Sequence, residues 1–197
     1  MNTSYPDYDV LEKWESPSFD ALTRRVVARR LRDIPQRRFF TQHEWTLLEA
    51  ITARLIPQPD RVHPIRITPW IDEQLFADRR EGFRHDNMPP QRIAWREGLK
   101  CIDGEAERRH DRGFALVDGD LQDATLRAIQ KGDIDRAHWT IHAERFFTDL
   151  LLKTVAGIYY SHPWAWSEIG FGGPASPRGY VRLGFDERDP WEAREAR

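Results

Sequence analysis

The sequence predicts an all-α fold: a single-domain bundle of five or six helices ending in an irregular arm. Three observations carry this. Apolar residues recur at three- and four-residue spacing through most of the chain, as in helices with one buried face. Helix start and stop signals punctuate those stretches. No strand pattern of any length occurs before Tyr180. The 197 residues suffice for one domain with a proper core. The pattern divides them into an extended N-terminal arm (1–17), a helical bundle (18–160) and an irregular C-terminal arm (161–197).

Pro6, Pro17 and scattered acids among Tyr5, Tyr8 and Trp14 mark the first arm as extended and partly ordered by its aromatics. From Ser18, Leu22, Val26 and Val27 recur at helical spacing until Pro35 stops the pattern. Thr41-Gln42-His43-Glu44 is a capping box, after which Trp45, Leu48, Ile51, Thr52 and Leu55 share one face. Pro57 and Pro59 end that helix. Thr68-Pro69 reads as the next cap, with Trp70, Ile71, Gln74 and Leu75 carrying a short helix to about Ala77. Residues 78–88 are charged, contain Gly82 and read as a loop.

Pro89-Pro90 then opens a long helix on Ile93, Trp95, Leu99, Ile102 and Ala106. Arg96, Glu97, Glu105, Arg108 and Arg109 form its expected solvent face. Asp118 or Asp120 caps the next, with Leu121, Thr125, Leu126 and Ile129 inward and Gly132 closing it. The most apolar helix is expected over Ala137–Tyr160, on Phe146, Phe147, Leu150, Leu151, Thr154, Val155 and Ile158. Such a helix belongs at the centre of a bundle.

Net charge is −2, so nothing global favours nucleic acid or an anionic membrane. No apolar run is long enough to span a bilayer, so direct membrane insertion is not expected. The single cysteine, Cys101, excludes an internal disulfide framework and permits a reducing compartment. Thr23 to Arg29 superficially resembles a twin-arginine export signal, but Arg30, Arg32 and Asp33 follow where an apolar segment is needed. A cytoplasmic location is expected. Eight Trp and ten Phe are many for a chain of 31% charged residues, and such side chains concentrate at binding surfaces.

Few constellations suggest chemistry. His138 and His142, four apart on the expected last helix, could ligate a metal with Glu144 or Glu168, the basis for an alternative reading as a helical metal-binding oxidase. Cys101 lies on an apolar stripe, where thiols are inert. Gly170-Phe171-Gly172-Gly173-Pro174 has the glycine density of a phosphate loop but lacks its strand, its helix and its lysine. Seven arginines from Arg24 to Arg38, with Asp33 the one acid among them, make a second alternative, a basic-helix nucleic-acid binder. A solvated or partner-facing helix is the plainer account. No Ser-His-Asp arrangement, carboxylate pair or P-loop stands out, so the chain does not read as an enzyme.

Several blocks resemble the gluconate 2-dehydrogenase subunit 3 family. They are Phe40-Thr41 to Arg54-Leu55-Ile56-Pro57, Ile71-Asp72, Gly98-Leu99, Leu121-Gln122-Asp123 and Gly132-Asp133. Phe146-Phe147, Thr154, Gly157 to Pro163 and Ile169-Gly170-Phe171 follow in the family's order and spacing. Trp164-Ala165-Trp166 stands where the family usually has a tyrosine and glycines. The resemblance implies a non-catalytic small subunit beside a large dehydrogenase of the glucose-methanol-choline (GMC) type, acting on a sugar, polyol or alcohol. FAD would sit in that partner and no cofactor in this chain. The docking element expected from the residues is the C-terminal arm, through Tyr160, Pro163, Trp164, Trp166, Phe171, Gly172, Gly173, Tyr180 and Phe185. The alternative is that the arm packs only on its own bundle.

Overall fold

The computed structural model describes residues 5–79, 85–174 and 191–195. Among them every regular element is helical: α1 (Ala21–Arg32), α2 (Gln42–Leu55), α3 (Thr68–Phe76), α4 (Gln91–His110), α5 (Gly119–Gln130), α6 (Lys153–Tyr160) and α7 (Pro163–Glu168). Short 3-10 turns lie at Val10–Lys13 and Phe114–Leu116, and a π-helical segment, Arg145–Leu152, runs directly into α6. The all-α class is therefore as expected, with one short helix, α7, inside the stretch read as irregular. The chain divides into two compact units, one of Pro35–Gly157 and one combining Met1–Ile34 with Ile158–Arg197.

In the Pro35–Gly157 unit the central place belongs to α4. It packs against α2, α5, the Phe114–Leu116 turn and the π-helical segment. Trp95, Leu99, Ile102 and Ala106 are fully buried along it. Gly98 permits the close approach, since a Cβ there would lie 2.2 Å from the Phe146 ring. Trp95 meets Phe40 and Phe146 edge-on, at centroid distances of 6.3 and 5.9 Å.

The apolar stripe of the last long helix is buried as expected at Phe146, Phe147, Leu151, Thr154, Val155 and Ile158. Its start is not where the pattern put it, because residues 137–142 are not helical. The Asp135 carboxylate accepts the Ala137 N–H at 3.0 Å and pairs with the His138 ring at 2.8 Å, fixing a turn that competes with helix.

The helix starts largely follow the sequence. Thr41 and Glu44 form the expected capping box, with both reciprocal bonds present. Asp118, not Asp120, caps α5, and Gly132 closes it at φ +74°. Thr68 does not cap α3. The Ile67 carbonyl accepts the first amides, from Trp70 and Ile71, and Thr68 lies buried inside the helix.

The polar residues of this unit form specific ties. Asp72 is buried, and its carboxylate accepts the backbone N–H groups of Arg38, Phe39 and Phe40 at 2.7–3.1 Å. Arg54 makes a two-pronged pair with Asp123 at 2.7 and 2.8 Å. Gln122 donates to the Phe114 carbonyl at 3.0 Å. Asp103 accepts the Phe114 N–H with one oxygen and meets His43 Nε2 at 2.8 Å with the other. Glu105, expected in solvent, is buried and held by Arg108 and Arg109. It lies three residues after Ile102 and so shares that residue's buried face.

The other unit has its own small core. Val10, Phe19, Val27 and Trp166 are buried together, with Tyr8, Leu11, Trp14 and Leu31 partly buried against them. The N-terminal arm is thus folded rather than extended. Asp9 caps the Val10–Lys13 turn, and the Val10 N–H donates to Ser167 Oγ on α7 at 3.1 Å. Trp14 packs edge-on to Phe19, and the Lys13 amine lies 5.2 Å from the centre of that ring.

Candidate partner interface

α7 forms because Pro163 presets the first turn and His162 precedes it. His162 Nδ1 accepts the Trp164 N–H at 3.3 Å, while its ring lies 4.7 Å from that of Trp164. Gly170, at φ +67°, ends the element in a conformation that other residues resist, and a Cβ there would meet the Tyr5 ring at 2.7 Å.

Trp166 is the pivot, and it faces inward. It is 3% exposed. Its indole N–H donates to the Tyr160 carbonyl at 2.6 Å, and Phe171 meets its ring edge-on at 5.7 Å. The Arg30 guanidinium lies 5.9 Å from the ring centre and donates to the Ser161 carbonyl. Burial pushes the Arg30 pKa below its ordinary value. Tyr159 donates to Glu168 at 2.7 Å, tying α6 to α7.

The residues expected to dock on a partner therefore separate. Pro163 and Trp166 are interior and withdrawn from the surface. Gly172 and Gly173 sit close to this unit's own side chains: Cβ atoms there would lie 3.3 Å from Lys13 Nζ and 3.3 Å from the Trp166 ring. Trp164 is half-buried. Tyr160 and Phe171 remain outward, 51% and 45% exposed, joined by Ile169 at 48%. Tyr180 and Phe185 lie outside the described residues. The arm is pinned to its own unit by Trp166, and an apolar group of Tyr160, Ile169 and Phe171 is left on the surface. Composition could not separate these roles, because all are aromatic or aliphatic residues in one short stretch.

The competing chemistries lose their geometric basis. His138 and His142 precede the helix and so do not share a helical face. His138 is paired with Asp135, and His142 Nδ1 accepts the Arg145 N–H. Among the described residues no group of three or more His, Cys, Asp or Glu is placed to hold a metal ion. Cys101 is buried, with its thiol toward the His138 carbonyl and the Thr140 hydroxyl at 3.6 and 3.8 Å.

The seven arginines do not make one basic face. Arg24 donates to the carbonyls of Trp14 and Phe19, Arg30 to that of Ser161 and Arg37 to that of Phe40, while Arg38 pairs with Glu73. Among the described residues no helix is long and apolar enough to cross a membrane.

A family model described as gluconate 2-dehydrogenase subunit 3 matches residues 42–173, two thirds of the chain. The chain belongs to the gluconate 2-dehydrogenase subunit 3 family. No curated protein and no solved structure matches it. The residues that carried the resemblance to the subunit 3 family now have physical tasks. Arg54 and Asp123 bind each other, Asp72 gathers three amides, Gly98 admits Phe146, and Gly132 and Gly170 take positive φ. Each of these tasks is internal to the fold.

Proposed function

We propose that this chain is a non-catalytic small subunit that binds and stabilises a large FAD-dependent dehydrogenase of the GMC type, which oxidises a sugar, polyol or alcohol. The flavin and the catalytic base belong to the partner, this chain carries no cofactor, and the complex acts in the cytoplasm. One observation carries the reading. In a member of the subunit 3 family, the polar and glycine residues of the matching blocks are engaged in holding the fold, while Tyr160, Ile169 and Phe171 face solvent. Exposed aromatic groups on a well-anchored support make effective binding anchors, because little rotamer entropy is lost when a partner covers them.

The test is co-expression with a candidate flavoprotein large subunit. A complex that survives size exclusion, with flavin absorbance following the large subunit, supports the proposal. Flavin, iron or zinc retained by this chain alone, or full solubility and activity of the large subunit without it, contradicts it.

A further inference from the structure

We infer that Gly157 is a hinge: the helix that carries the chain between the two compact units bends there, so that the unit bearing Tyr160, Ile169 and Phe171 changes orientation without unfolding. A hinge here is a property of the chain itself, whatever partner binds it.

The chain passes between the units twice, at Ile34–Pro35 and, within α6, at Gly157–Ile158. Residues on either side of the helical crossing are held. Phe146, Phe147, Leu151 and Val155 are buried before it. After it, Tyr159 donates to Glu168, the Tyr160 carbonyl accepts the Trp166 indole N–H, and the Ser161 carbonyl accepts Arg30. Ala156 and Gly157 lie between these anchors, and Gly157 is exposed. The other crossing is not braced by a helix. α1 ends at Arg32, residues 33–36 have no regular structure, and Arg37 and Arg38 are already tied to Phe40 and Asp72.

A glycine inside a helix needs a reason, because only proline is less favourable there. Close packing is not the reason: a Cβ at Gly157 would meet nothing within 4 Å, against 2.2 Å at Gly98. Nor is a left-handed backbone, since Gly157 is helical and the positive-φ glycines are Gly132, Gly170 and Gly173. What glycine supplies at this position is backbone freedom. The π-helical segment Arg145–Leu152 ends just before α6, and π-helical turns and glycines are where helices kink. Gly104 has equally open surroundings, but α4 lies wholly within one unit, where a bend would disrupt a single core. At Gly157 an open glycine and a unit boundary coincide.

Spin labels at Leu22→Cys and Leu116→Cys, exposed positions in the two units, in a full chain carrying Cys101→Ala, report the distance between the units by pulsed electron resonance. With Gly157 the distance distribution should be broad or two-peaked. Gly157→Ala should roughly halve its width and raise Tm by roughly 2–4 °C, the gain expected from helix propensity alone. Gly104→Ala should raise Tm similarly and leave the distribution unchanged. A single narrow distance with Gly157, or a width unaltered by Gly157→Ala, overturns the hinge. A fall in Tm for Gly157→Ala also overturns it, because the fold itself would then require glycine there. So does equal narrowing by Gly104→Ala, because stability rather than bending would set the width.

Discussion

Asp72 illustrates how much of this fold rests on single polar side chains. A buried carboxylate that accepts three consecutive amides replaces a missing turn of helix before α2, and nothing else among the described residues bonds those three N–H groups. Asp72→Ala leaves them without acceptors and should cost about 3 kcal/mol or more in chemical denaturation, since each orphaned buried group costs roughly 1–3 kcal/mol. Glu105 gives the residue scale a pH signature. Burial alone would raise its pKa, but hydrogen bonds and charge from Arg108 and Arg109 outweigh that and hold it below the ordinary carboxylate value. A folded pKa below the unfolded one means that the stabilisation is complete above about pH 4.3 and lost as pH falls through the folded value. Glu105→Gln should therefore be less stable than wild type at pH 7, with the gap closing in acid unfolding curves as pH falls below about 4.3. A constant gap across that range would remove the charge from the account. Trp166 and Phe171 make a matched pair. Trp166→Ala should cost roughly 3–5 kcal/mol as a core deletion. Phe171→Ser, at a half-exposed position whose inner edge meets Trp166, should cost only about 1 kcal/mol in stability and lower co-purification with the large subunit. The reverse ranking of stabilities would mean that the arm is not pinned through Trp166.

At the scale of elements, starts and stops were legible where the signal is local. The capping box at Thr41 and Glu44 is a reciprocal pair of bonds within four residues, and the structure has both. Thr41→Ala should cost about 1 kcal/mol by thermal or urea unfolding. Loss of less than a few tenths would show the cap to be dispensable. The apolar stripes of α2, α4 and α5 were plain except at the starts of α4 and α5, where Ile93 and Leu121, expected inward, are 51% and 37% exposed. The positive-φ glycine after α5 was equally plain, because periodicity and turn chemistry act over one or two turns. Residues 137–142 were misread because apolar spacing continues there while Asp135 ties the backbone into a turn. α7 was hidden because six residues are too few to show a period, and its start depends on a histidine rather than on a usual cap residue. Val10 and Phe19 gave no sign that they would join Trp166 in one core, since that contact spans most of the chain. The shared helical face expected of His138 and His142 was misread with the helix itself. Glu105 was read as exposed because a buried charge with two arginines has the same sequence pattern as a solvated one.

At the scale of the molecule, membership of the subunit 3 family meets a chain whose motif residues are engaged in holding the fold, and which leaves Tyr160, Ile169 and Phe171 exposed in one unit and Val62, Phe76, Ile93 and Leu116 exposed in the other. Tyr160, Ile169 and Phe171 are the anchors proposed above for a partner protein. The central claim is that these anchors bind a GMC-type flavoprotein subunit. The most direct measurement is the amount of that subunit recovered as a soluble, flavin-loaded complex when co-expressed with the wild-type chain, with the Tyr160→Ser/Phe171→Ser variant and with no partner. The account predicts a stable complex with wild type, and a marked loss of complex with the variant although the variant remains folded. Equal recovery of active, flavin-loaded large subunit in all three cases would contradict it.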